Sequence, residues 1–329
     1  MSSKMPIRSR PRRNRSSEAV RGLIRETSLS PSNFILPLFI TEGKNISEPI
    51  EAMPGQSRLS VDRLVLKVKE ARALGVMAVA LFPKIEDRLK DSFAKESTNA
   101  KGLLPRAIRA AKDACPDVLV ISDVAMDPYS SDGHDGLVKN GLVLNDETLP
   151  ILAQMAICQA EAGADWIAPS DMMDGRVGYL RSALDEAGYT DRSILAYTAK
   201  YASAFYGPFR QALDSAPRAG DKKTYQMDPA NRREAIREAQ LDIKEGADVI
   251  MVKPAIAYLD VIRELKSRFA VPVAAYQVSG EYAMIKAAGD RGWLDADAAM
   301  MESLLSIRRA GADMTLTYFA VDASRILQS

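Results

Sequence analysis

The chain lacks an excess of charge of either sign, long apolar stretches, paired cysteines and glycine-rich nucleotide turns, and each shortage removes a class of function. Its 329 residues carry 44 Lys and Arg against 43 Asp and Glu. No global basic field therefore points to nucleic acid or an anionic membrane, and a small-molecule partner is expected. No stretch approaches the roughly 18 apolar residues of a membrane span, and the Arg- and Ser-rich N-terminus has no apolar signal core. Those two features read as a cytoplasmic protein. Cys115 and Cys158 fall in helical patterns without a CxxC partner, which suits a reducing compartment. No GxGxxG follows any apolar run, which weighs against a doubly wound dinucleotide-binding sheet.

What is present is a series of eight short runs rich in Val, Ile, Leu or aromatic residues, at 34–40, 76–82, 118–124, 165–169, 193–199, 248–252, 271–278 and 312–319. They are continuous rather than alternating, the pattern of strands buried on both faces in a parallel sheet covered by helices. Amphipathic stretches such as 60–74, 146–162 and 229–245 lie between most of them. The junctions Glu161-Ala-Gly-Ala-Asp165, Glu245-Gly-Ala-Asp248 and Ala310-Gly-Ala-Asp313 each end a helix on Gly and enter a strand. Glycine takes the left-handed conformation such a turn needs. Repeated βα units over this length predict a (β/α)8 barrel, which takes about 250 residues plus insertions. An open doubly wound sheet is the alternative.

Two lysines are placed alike: Lys253 closes the run 248–252 and Lys200 closes 194–199. Burial against apolar strands disfavours an ammonium group, and a second lysine nearby disfavours it further, so such a lysine tends towards the neutral, nucleophilic amine. Amines of this kind form Schiff bases with ketones. One lysine at a strand end is ordinarily a surface residue; two on matching ends favour the chemistry. Other polar residues gather at strand ends too, namely Asp123, Asp127, Ser170, Asp171, Gln277, Ser279 and Tyr318, where active sites of this fold lie.

Between the third run and the next helix, carboxylates at Asp123, Asp127, Asp132 and Asp135 with His134 are compatible with a hard cation such as Mg²⁺, or with an Asp- and Gly-rich turn bonding its own backbone. The long insertion 201–223 carries Phe205, Tyr206, Phe209, Arg210, Arg218, Lys222 and Lys223, a composition fit for a lid that excludes water and holds a carboxylate or phosphate.

The segments 168–176 (APSDMMDGR), 197–210 (YTAKYASAFYGPFR), 225–229 (YQMDP), 251–254 (MVKP) and 276–282 (YQVSGEY) resemble those of the porphobilinogen synthase, or 5-aminolevulinate dehydratase, family. The likeness runs from about residue 8 to the C-terminus. It implies a homo-oligomeric (β/α)8 barrel, octamer or hexamer, that condenses two molecules of 5-aminolevulinate into porphobilinogen for tetrapyrrole synthesis. Residues 1–22, rich in Arg, then read as an arm for subunit contacts rather than for nucleic acid, and 23–329 as the catalytic barrel.

Matched motif by motif, the resemblance makes Lys253 and Lys200 the two Schiff-base lysines. It assigns Arg210, Lys222 and Gln226 to the carboxylate of one substrate and Ser279 and Tyr318 to that of the other. Tyr276 is counted with the substrate-binding residues, and Asp123 and Ser170 line the floor near the amino groups. No organic cofactor is implied. Where zinc-dependent members carry three cysteines, this chain has Ala125, Asp127 and Asp135, so no catalytic zinc is expected; the two aspartates remain candidates for a hard cation. Glu238 matches a position that in magnesium-responsive members binds an allosteric Mg²⁺ between subunits, and a monovalent cation is the other candidate. A class I aldolase-type lyase would share the barrel but needs only one such lysine.

Overall fold

The computed structural model describes residues 7–328. All eight apolar runs form strands: β1 (Phe34–Ile40), β2 (Ala78–Pro83), β3 (Leu119–Val124), β4 (Trp166–Pro169), β5 (Ser193–Lys200), β6 (Val249–Lys253), β7 (Val273–Gln277) and β8 (Met314–Thr317). Each pairs in parallel with its sequence neighbours, and β8 closes on β1 through Phe34↔Thr315 and Ile35↔Leu316. The result is a closed (β/α)8 barrel, as expected. Every residue of β1, β6 and β7 is buried, because one face fills the barrel and the other meets the helices. The last run is shorter than its apolar stretch: Tyr318 and Phe319 already turn towards the helix Ala320–Gln328.

The barrel helices that matter below are α1 (Val61–Ala73), α2 (Leu103–Ala114), α3 (Asn145–Glu161), α4 (Arg176–Glu186), α5 (Arg233–Glu245), α6 (Leu259–Arg268) and α7 (Ser279–Asp290). On α1, Leu64, Val68 and Ala71 recur at helical spacing and are buried. Helix α5 starts four residues later than its amphipathic pattern, because Asp228 first holds a turn through the amides of Ala230 and Asn231. Gly246, at φ 107°, ends it and lets the chain re-enter the sheet.

Three features were not read from the sequence. Short antiparallel pairs join Ser47–Pro49 to Ser57–Leu59 and Leu137–Lys139 to Leu142–Leu144; three-residue strands give too little periodicity to see. The insertion after β5 is not structureless but contains the helix Gly207–Leu213. Of the N-terminal arm, residues 1–6 lie outside the described residues. Pro11–Arg15 and Glu18–Leu23 form a turn and a short helix with no buried residue, and Leu23 is 87% exposed. Among the described residues no helix is long and apolar enough to cross a membrane.

Candidate active site

The C-terminal ends of β5 and β6 bring the two lysines together. Val249 and Ile250 pair with Leu195 and Ala196, but Val252 and Lys253 pair with Ala199 and Lys200. Tyr197 and Thr198 thus stand opposite Met251 alone, a bulge in β5. Side chains alternate across a strand, so this extra residue sets which pairs share a face. It makes Lys200 and Lys253 direct neighbours, each only 6% exposed.

Lys253 sits in an aromatic box. Its Nζ lies 4.5 Å from the ring centre of Tyr276, 5.0 Å from Tyr197, 5.1 Å from Phe209 and 5.3 Å from Tyr206. Burial, followed by the neighbouring Lys200, pulls its amine down to about 7, with Asp123, Asp127 and Asp135 acting the other way. A substantial share of neutral amine at physiological pH is what nucleophilic attack on a ketone requires.

Lys200 has a different setting. Its Nζ donates to the Ser170 carbonyl and stands 3.8 Å from Asp135. Lys222, from the lid, bridges Asp135 at 3.1 Å and Asp127 at 3.2 Å. Burial would raise the Asp135 carboxyl, but Lys200 and Lys222 hold it down to about 2. Asp127 is pushed up, by burial before its partners' opposing charge. Asp123 is partly covered at its surface yet sits deep in the barrel mouth; that burial and the charge of Asp127 push it up to about 7, and its Oδ1 has no hydrogen-bond partner. Asp127 and Asp135, considered as hard-cation ligands, therefore already face two ammonium groups, and among the described residues no group of three or more His, Cys, Asp or Glu could hold a metal.

The remaining candidates form two groups of uneven commitment. On the β7–β8 side, Tyr276 and Tyr318 join hydroxyls at 2.9 Å, and Ser279 Oγ accepts from the Phe209 amide at 3.0 Å, linking this wall to the lid. On the lid side, Gln226 is buried with Oε1 unpartnered. The guanidinium of Arg210, a half-buried residue, has no hydrogen-bond or ion-pair partner among the described residues. Glu238 is not part of this site. It lies on α5 beside a surface cavity with Asp174, Arg176, Glu234 and Asp242, and burial pushes its carboxyl up to about 7, Arg176 opposing and Asp242, Asp174 and Glu234 adding to the rise.

Sequence reasoning missed Tyr197 as a wall of the lysine box and Arg58 as a lid support. Arg58 Nε and Nη2 donate to the carbonyls of Ala212 (2.6 Å) and Gln211 (2.9 Å), capping the helix that carries Arg210, while Nη1 pairs with Glu48 at 2.5 Å. His134 latches the same lid: Nε2 donates to the Ala219 carbonyl at 2.9 Å, which leaves Nδ1 to accept from Tyr225 at 3.0 Å. Both contacts join segments more than 80 residues apart, and no local pattern announces them.

A family model described as delta-aminolevulinic acid dehydratase matches residues 8–326. The chain belongs to the delta-aminolevulinic acid dehydratase family. Among its relatives are chloroplastic delta-aminolevulinic acid dehydratases of Physcomitrium patens, 61% identical over 97% of this chain and 74% of that protein, and of Chlamydomonas reinhardtii, 56% identical over 97% and 84%. A crystal structure of the dehydratase from Toxoplasma gondii ME49 in complex with porphobilinogen superposes with a TM-score of 0.96 at 55% identity, covering 98% of this chain and 92% of that one. These relatives correct one expectation. Dehydratases 56–61% identical to this chain are named chloroplastic, so the cytoplasmic reading does not stand. Its physical basis was weak: plastid transit segments are themselves Arg- and Ser-rich and lack an apolar core, so that composition never discriminated.

Proposed function

We propose that Lys253 and Lys200 carry the family's reaction in this chain, each as an iminium with one substrate. The activity is that of a delta-aminolevulinic acid dehydratase, or porphobilinogen synthase: two molecules of 5-aminolevulinate condense to porphobilinogen with loss of two waters, and no organic cofactor is needed. The observation that carries the residue assignment is the pairing of Lys200 with Lys253 at adjacent strand ends, with the Lys253 amine held near 7.

One iminium acidifies the carbon next to it, and that carbon attacks the iminium carbon of the second substrate to form the carbon–carbon bond; the amino group of the second substrate attacks the first iminium carbon to close the ring. Each addition is followed by loss of the lysine amine, so the two waters are those released when the iminiums form. Holding both ketoacids on neighbouring strands replaces a bimolecular encounter by a positioned one. Arg210, Lys222 and Gln226 hold the carboxylate of one substrate; Ser279 and Tyr318, with Tyr276 behind them, hold that of the other. Asp123 and Ser170 form the floor near the amino groups, and Asp123, near 7, can exchange a proton there. A class I aldolase-type lyase needs one such lysine, so the second lysine weighs against it. Incubation with 5-aminolevulinate, followed by colour development for the pyrrole, tests the activity; borohydride trapping tests the lysines.

Around this centre, the exposed arm is suited to wrapping a second subunit in a homo-oligomer, octamer or hexamer. Glu238 is the candidate for Mg²⁺: burial, with Asp242, Asp174 and Glu234 against the opposing charge of Arg176, pushes its carboxyl up, and a cation would relieve that. One carboxylate with water completing the shell is an ordinary way to hold this ion.

A further inference from the structure

Glu281 stands in the first turn of α7 and is 1% exposed. Its Oε2 accepts from the Val278 amide at 2.9 Å, which is the local half of a helix-capping arrangement. Three further backbone amides converge on the same carboxylate, and none belongs to α7. Oε1 accepts from Ile256 at 2.7 Å and Ala257 at 3.3 Å, and Oε2 from Ala255 at 3.4 Å. Those three residues are the turn that begins two positions after Lys253. The opposite end of the bridge, Val278, directly precedes Ser279. At Gly280, between Ser279 and Glu281, a Cβ would meet the Phe205 carbonyl of the lid at 2.5 Å, so the lid packs on the β7 turn beside the carboxylate that holds the β6 turn.

We propose that Glu281 is a positioning residue that fixes the Lys253 strand end against the turn carrying Ser279, and so sets the distance between the imine-forming amine and the carboxylate-holding hydroxyl. The inference rests on the roles given above to Lys253 and Ser279. A helix cap needs one acceptor, whereas this carboxylate uses acceptor sites on both oxygens, three of the four amides coming from a separate segment. An amide in its place keeps one oxygen and turns an NH₂ towards amides that can only donate. Aspartate is shorter by one methylene; it can serve the local cap at Val278 while losing reach to residues 255–257. A shift of about 1 Å between reacting groups can cost about a hundredfold in rate.

The test uses the full-length protein as Glu281→Asp and Glu281→Gln, with Ser279→Ala for reference. Folding is checked by near-UV circular dichroism, and the rate of borohydride trapping is read at saturating 5-aminolevulinate with the adduct located by peptide mapping. Ser279→Ala is expected to raise KM. Both Glu281 variants are expected to fold, to trap substrate on Lys253 at least about tenfold more slowly at saturation, and to raise KM as well. Folded variants with wild-type trapping and KM overturn the proposal; variants that lose the fold altogether assign Glu281 to stability and overturn it too. A wild-type adduct on a lysine other than Lys253 brings down the site reading itself, whereas with that adduct on Lys253 the variants judge Glu281 alone.

Discussion

Lys200 and Lys253 are register partners because β5 carries one residue more than β6 between their paired segments. Without that extra residue Lys253 would stand opposite Ala199, and the two amines would leave the barrel mouth on different faces. Borohydride with 5-aminolevulinate is expected to trap substrate on Lys253, and Lys253→Ala to remove nearly all turnover. Lys200→Ala is expected to cripple turnover while leaving trapping at Lys253. Full activity in either variant would sink the two-lysine mechanism.

The Lys253 amine makes a pH-dependent signature. Its folded value, near 7, is depressed from 10.5, so the cost of burying the proton is full below pH 7, shrinks between 7 and 10.5, and is gone above. Lys253→Met is therefore expected to raise the thermal midpoint at pH 6–7 and to lose that advantage as pH rises towards 10. Trapping of substrate by the wild type should accelerate as pH rises through about 7. A Lys253→Met protein less stable than wild type at pH 6 contradicts the buried, depressed amine.

The Arg210 guanidinium has no partner among the described residues, and its helix is held at its end by Arg58. Arg210→Ala is expected to cost about 2–4 kcal/mol of substrate affinity, read as KM, and Arg210→Lys not to restore it, since a point charge cannot match a planar fork. Arg58→Ala should give a milder rise in KM with faster proteolytic cleavage within 201–223. Limited proteolysis indistinguishable from wild type would remove Arg58 from the lid.

Metal response should come from Glu238 and not from the aspartate loop. Mg²⁺ is expected to raise activity and shift sedimentation towards larger assemblies, and Glu238→Gln to abolish both effects while leaving the Mg²⁺-free rate intact. Zinc-selective chelators should not inhibit, because Ala125, Asp127 and Asp135 offer no thiolate. Stoichiometric zinc required for turnover would overturn that reading of the loop.

The barrel was legible because its strands are buried on both faces and therefore continuous in sequence; a strand half-exposed and three residues long, such as Ser57–Leu59, carries no such mark. Lys200 and Lys253 were legible because each ends an apolar run, and their pairing added only the bulge, which depends on how two separate strands lie together. Arg58 and Glu281 were not legible. Both act on backbone carbonyls or amides of a distant segment, and a backbone partner leaves no residue type to recognise. The ion pairs of Lys222 with Asp127 and Asp135 leave no mark for a related reason: a lysine and two aspartates about ninety residues apart carry no local pattern that shows they face one another.

Those ion pairs have a consequence for what the pocket admits. Lys200 and Lys222 stand over Asp127 and Asp135, two basic and two acidic side chains that are all buried. An incoming molecule with a single charge would leave that enclosure unbalanced, at a solvation cost of several kcal/mol. A zwitterionic amino ketoacid adds one charge of each sign and can exchange partners, its carboxylate taking up a cation while its ammonium meets the carboxylate released. Electroneutrality, as much as shape, then selects against simple ketoacids that lack the amine.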